Sequence, residues 1–96
     1  MPSYVSLFNW TDQGIRNAKD TVKRAQAARK TFEEAGCKMI DLYWTIGQYD
    51  VVVIFEAPDN DTAYKLALST CMQGNVKTVT MPAMNEADMT KILKSM

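Results

Sequence analysis

Between Gly47-Gln48-Tyr49-Asp50 and Ala57-Pro58-Asp59 lies the run Val51-Val52-Val53-Ile54-Phe55, apolar at every position. Successive residues of a strand point to opposite faces, so a strand with one wet face alternates apolar with polar. This run does not alternate. Both of its faces must be covered, which makes it a central strand. Three valines and an isoleucine, closed by Ala-Pro-Asp, favour a strand over a short buried helix.

The flanking segments supply the rest of a sheet. Ser3 to Asn9 alternates and reads as a first strand. Trp10 to Gly14 reads as a loop, leading into a long amphipathic helix with Ile15, Ala18, Val22, Ala25, Ala28 and Phe32 on one stripe and Gly36 at its end. Asp12 is placed to cap that helix. A second strand is expected over Lys38–Ile46, with Ile40, Leu42, Trp44 and Ile46 on one face. Asp59 to Thr62 offers N-caps for a second helix that turns Ala63, Leu66, Ala67 and Met72 inward. Gly74-Asn75 turns the chain into a fourth strand, Val76–Met81, which Pro82 stops. A short terminal helix follows, capped by Asn85, with a stripe of Met89, Ile92, Leu93 and Met96.

The order strand-helix-strand-strand-helix-strand is that of an α+β, ferredoxin-like βαββαβ domain with a C-terminal helix. Its sheet order is four-one-three-two, all antiparallel, with both main helices on one face. The double-sided third strand then needs a cover for the other face, which the terminal helix could supply in part and a second copy of the sheet in full. We expect a homodimer in which two sheets pack face to face. At 96 residues, of which 47% are hydrophobic, the chain makes one domain, residues 1–96, with a compact core. So small a domain buries only about 60–65% of its unfolded surface, and association helps it.

Composition also narrows function. The net charge is zero, which lends no support to a nucleic-acid or membrane partner. The long helix is basic through Arg16, Lys19, Lys23, Arg24, Arg29 and Lys30, but no aromatics interleave for base stacking, so it reads as a solvated face. The opening Met1-Pro2-Ser3-Tyr4-Val5 lacks a signal-peptide layout, and no apolar run reaches membrane-spanning length. Cys37 and Cys71 lie outside any CxxC spacing, so reduced thiols in a cytoplasmic protein are expected. The chain has no histidine, which removes the commonest proton shuttle, the Ser-His and Cys-His nucleophile pairs and most zinc or copper sites. It also has no GxGxxG or Walker sequence. Neither a metal nor a cofactor is expected.

The topology brings three turns to one end of the domain: Trp10 to Gly14, Thr45 to Asp50, and Gln73 to Val76. Candidate ligand-binding residues are therefore Trp10, Asp12, Gln13, Gly14, Arg16, Asn17, Gly47, Tyr49, Asp50 and Asn75. The same residues also suit caps, turns and a hairpin anchor. Tyr49 and Asp50 point to opposite faces of a regular strand, so any acid–base pair must form across loops, as Asp50 with Asp12 or Tyr49 with Arg16.

Trp10 to Asn17, Gly47 to Asp50, Glu56-Ala57-Pro58-Asp59 and Gly74 to Thr78 together resemble the GYD-domain proteins. These are small bacterial and archaeal proteins named for a glycine-tyrosine-aspartate signature. The resemblance spans nearly the whole chain and implies a dimeric α/β barrel without assigning an activity. It draws attention to Gly47, Tyr49 and Asp50 and to the first-loop motif. The two cysteines and the methionine-rich tail depart from the pattern.

Three functions stand at this point. One is a small-molecule-binding homodimer of sensory or regulatory kind. Another is a metal- and cofactor-independent enzyme of monooxygenase or isomerase type, with Asp50 or Asp12 as base and Arg16 or Tyr49 steadying an oxyanion. The third is a purely structural or interaction protein.

Overall fold

The computed structural model describes all 96 residues. Strand β1 (Ser3–Trp10) leads through a short helix α1 (Asp12–Arg16) and a 3-10 turn (Ala18–Asp20) into helix α2 (Thr21–Glu34). Strands β2 (Lys38–Trp44) and β3 (Val51–Glu56) form a hairpin, followed by helix α3 (Asn60–Met72), strand β4 (Val76–Ala83) and helix α4 (Glu86–Lys94). The four strands make one antiparallel sheet in the order β2-β3-β1-β4. This is the expected α+β, ferredoxin-like fold, with β3 in its interior.

The register sorts the side chains into two faces. Tyr4 stands opposite Phe55, Ser6 opposite Val53 and Phe8 opposite Val51, all on the helix-covered face. There Tyr4, Val51, Val53 and Phe55 bury against Phe32 of α2 and Ala63 and Leu66 of α3. Phe55 is 1% exposed. Tyr4 stacks on it and Phe32 meets it edge-on, each with ring centroids 5.2 Å apart. Ser6 is the buried polar residue of this layer, and its hydroxyl shares a 2.6 Å hydrogen bond with Thr80.

The second face is apolar too. The register sets Leu7 between Val52 and Val79, and Val5 between Ile54 and Met81. Tyr43, opposite Val52, extends the patch and is exposed. Helices α2 and α3 lie on the other side of the sheet. Val51 to Phe55 of β3 thus turn apolar side chains both to the helix-covered face and to the open one.

Local structure departs from the sequence pattern at several places, each with an identifiable cause. Thr11, not Asp12, caps the first helix, its hydroxyl accepting from Gly14 N at 3.1 Å. The helix then breaks over the 3-10 turn, so the inward stripe of α2 is rephased: Ile15 and Val22 are about half exposed, while Thr21, Arg24, Ala28 and Thr31 face the sheet side with Ala25 and Phe32. In β2 a bulge falls between Met39 and Asp41. It expels Ile40, so Met39 joins Leu42 and Trp44 on the inner face, and Ile46 lies beyond the strand, fully exposed. At the end of α3, Met72 is exposed at 83% because the helix has passed the edge of the core. In β4, Pro82 continues the strand, paired with Tyr4, which an edge strand tolerates because one side of its backbone needs no donor.

Helix α4 is capped as its sequence implies, with Asn85 Oδ1 accepting from Asp88 N at 2.8 Å. Its stripe of Met89, Ile92, Leu93 and Met96 nevertheless stays exposed, and α4 makes no extensive packing contact with the other elements. The chain is accordingly extended. Its radius of gyration is 14.3 Å, against about 12.5 Å for a compact domain of this length, and its long axis is 48 Å.

Candidate functional site

The three turns meet at one end of the sheet and are tied together mainly through the backbone. Beyond the Phe8–Val51 pair the β1–β3 ladder runs out, and the Asp50 carboxylate takes over, accepting from Trp10 N at 2.9 Å. Asp50 N donates to Phe8 O at 2.8 Å, and Thr45 N donates to Asp50 O at 2.8 Å. Asn9 Nδ2 reaches Gln48 O at 2.6 Å. Tyr49 is half-buried and enters this network through its carbonyl, which accepts from Thr45 Oγ1 at 2.6 Å. Gly47, at φ 136°, makes the reversal that a side chain would strain.

On the other side, α1 is clamped to the turn before β4. Thr11 N donates to Asn75 O at 3.1 Å, and Thr11 Oγ1 donates to Gly74 O. Gln13 Nε2 bridges Gln73 O at 3.1 Å and Asn75 Oδ1 at 3.0 Å. Gly14 is buried under this clamp, where an added Cβ would lie 1.9 Å from Asn75 O. Asn17 closes the short helix, its Nδ2 donating to Gln13 O at 3.0 Å. Asp12 and Arg16 are exposed and lie outside these contacts.

Beneath the knot lies a cavity of about 170 Å³ between α2, α3 and the sheet. Of the ten candidate residues, Trp10 and Asn75 line it; Asp12, Gln13, Gly14, Arg16, Asn17, Gly47, Tyr49 and Asp50 do not. The proposed acid–base groups are thus held apart from the cavity. Asp50 acts on the cavity through Trp10 and Phe8, whose backbones it pins.

The cavity's walls are mostly apolar. Phe8, Val51 and Val53 form its floor, Met39, Leu42 and Trp44 one side, and Ala25 and Ala28 the roof. Trp44 closes an edge by donating Nε1–H to Thr21 Oγ1 at 3.0 Å, joining β2 to the start of α2. Arg24 supplies a cationic group to this lining. Its Nη1 donates to Asn17 O at 2.7 Å, and its Nη2 is buried without a partner. The sequence pattern hides Arg24 within a basic helix face. Its spacing from Thr21, Ala28 and Thr31 marks it as inward only once the break before Thr21 is known.

The two groups with displaced pKa values stand at the far end of the domain. Hydrogen bonds from Thr62 Oγ1 (2.7 Å) and Thr62 N (2.8 Å) hold the Asp59 carboxyl below its ordinary range, where it caps α3. Burial pushes the Cys37 thiol up, and the nearby negative charge of Asp59 adds to the effect. Cys37 and Cys71 are both free thiols.

Comparison with solved structures supports the fold. The chain superposes on TTHA0845 from Thermus thermophilus with a TM-score of 0.56 at 18% identity, covering 88% of this chain and 95% of that one. It superposes on MtbAldR with a TM-score of 0.68 at 12% identity, covering 88% of this chain but only 54% of the larger one. At such identities the likeness is one of architecture. In sequence, the chain is 30% identical over 95 residues to a Thermus thermophilus protein named glutamine synthetase and cystathionine β-lyase binding protein, covering 98% of this chain and all of the relative. The GYD domain model matches residues 4–93, from the buried Tyr4 into the terminal helix, and the chain belongs to the GYD-domain family.

Proposed function

We propose that this protein is a homodimeric small-molecule-binding protein of sensory or regulatory kind, with its ligand held in the cavity between α2, α3 and the sheet. The observation that carries this is the cavity itself. A dry engineered cavity of about 150 Å³ accepts benzene, so about 170 Å³ accepts one ring or a branched chain with a small polar group. Apolar walls with a few polar groups are the usual make-up of such sites.

The dimer is argued from the uncovered sheet face. Val5, Leu7, Val52, Ile54, Val79 and Met81 form a contiguous apolar patch that a second copy of the same face would cover. The exposed stripe of α4 lies ready to reach a neighbouring subunit. Free cysteines suit a cytoplasmic setting.

A second reading rests on the relative named for binding two enzymes and on α4, whose apolar stripe is the kind of surface a protein partner engages. The two roles are compatible, since a ligand in the cavity can bias contacts made elsewhere. The enzyme alternative is weaker, because Asp12, Arg16, Tyr49 and Asp50 do not line the cavity.

A thermal-shift screen of compounds with six to ten heavy atoms, on wild type and Ala28→Leu, tests the main proposal. A ligand at about 100 times its Kd stabilises the native state by about 2.7 kcal/mol. Compounds that stabilise wild type are expected to lose that effect in A28L, whose larger side chain fills the roof. No stabilising compound, or equal stabilisation of both proteins, overturns the site.

A further inference from the structure

We propose that the ligand of this cavity is a small carboxylic acid, its carboxylate paired with Arg24 and its apolar body between Trp10, Trp44 and Phe8. The proposal rests on the cavity-binding reading above and adds the chemical class of the ligand.

Arg24 is an unusual lining residue for so apolar a space. A guanidinium keeps its charge at every physiological pH and offers five N–H donors. The partner this chain supplies is neutral, the carbonyl of Asn17 at 2.7 Å, and Nη2 is buried with nothing to donate to. Arg24 is half-buried and is the one charged residue of the lining, and a cation in such a setting gains from a counter-charge that arrives with hydrogen-bonding geometry. A carboxylate meets both needs; because Nη2 has no open surface in the empty structure, the pairing requires the guanidinium to turn toward the cavity.

The remaining walls define the other end of the molecule. Phe8, Met39, Leu42 and the two tryptophans offer apolar or aromatic surface, the indole N–H of Trp44 being already spent on Thr21, while Ser69, Thr70, Gln73 and Asn75 add neutral polar groups. The volume of about 170 Å³ matches an aromatic or branched aliphatic acid of about nine heavy atoms. The Asn17 bond also fixes Arg24 to the segment joining α1 and α2. Anion binding at Nη2 therefore acts directly on the piece of chain that locks onto Gly74 and Asn75.

Both tryptophans of the chain line the cavity, so intrinsic fluorescence reports on its contents. Benzoate and its neutral isostere benzamide are titrated against the full chain and against Arg24→Met and Arg24→Lys, with circular dichroism confirming that each variant is folded. Benzoate is expected to bind at least tenfold more tightly than benzamide to wild type. R24M should lose at least tenfold for benzoate while leaving benzamide unchanged, and R24K should recover part of the loss. Equal binding of the two compounds, or benzoate binding that ignores R24M, overturns the carboxylate assignment and leaves the cavity standing. Failure of both compounds to perturb either tryptophan overturns the cavity reading together with the assignment.

Discussion

Asp50 illustrates how a residue that reads as chemistry can serve as backbone. Its carboxylate stands where the next β3 carbonyl would be, and it receives the Trp10 N–H that the shortened ladder leaves over. A buried donor without a partner costs about 1–3 kcal/mol. Asp50→Ala is therefore expected to lose about that much stability in urea unfolding. Asp50→Asn, which keeps an accepting oxygen, should lose less than half as much. Equal losses would mean that the charge, rather than the hydrogen bond, holds Trp10 in place. Gly14 has a comparable role: the clamp of α1 onto Asn75 closes only because no side chain stands between the two backbones.

At the scale of elements, the caps at Asp59 and Asn85 follow the sequence, while the cap expected at Asp12 falls to Thr11 and the phases of α2 and β2 shift. Asp59 caps α3 through two hydrogen bonds from Thr62, and its carboxyl pKa is lowered in the folded state. A lowered folded pKa means that the stabilisation is present above the unfolded value, about 3.9, and is lost as pH falls toward and through the folded one. Asp59→Asn keeps an accepting cap without a titrating group, so its melting temperature should approach that of wild type between about pH 5 and pH 3. Asp59→Ala lacks the cap and should melt lower than Asp59→Asn at every pH. Parallel acid limbs for wild type and D59N would contradict this assignment.

Strand order, the two main helices and the caps at Asp59 and Asn85 were legible because they depend on local composition and on period. The inward residues of α2 and β2 were legible only in part. One irregularity, the 3-10 turn at Ala18–Asp20, rephases α2, and another, the bulge at Ile40, rephases β2. Neither leaves a glycine or proline to announce it. Arg24 and Met39 were hidden by those shifts, whereas Ala25, Ala28, Phe32, Leu42 and Trp44 stand on the expected stripes. The end of the domain where the turns converge was legible, because topology alone brings Trp10, Asp50 and Asn75 together.

For the whole molecule, the exposed sheet face and the unpacked α4 describe a chain that leaves apolar surface uncovered on two sides. A 96-residue domain has little burial to spare, so both surfaces favour association. In the proposed dimer the double-sided β3 has helices on one face and a second sheet on the other. The cavity lies on the helix side, away from that interface, so assembly and ligand uptake are separable. Native mass spectrometry of freshly purified protein reports both at once. The account predicts a species at twice the 10.8 kDa chain mass that carries a small-molecule adduct or takes one up from benzoate, the adduct being lost in A28L while the dimer persists. A stable monomer that takes up nothing would contradict both the reading of β3 and the proposed function.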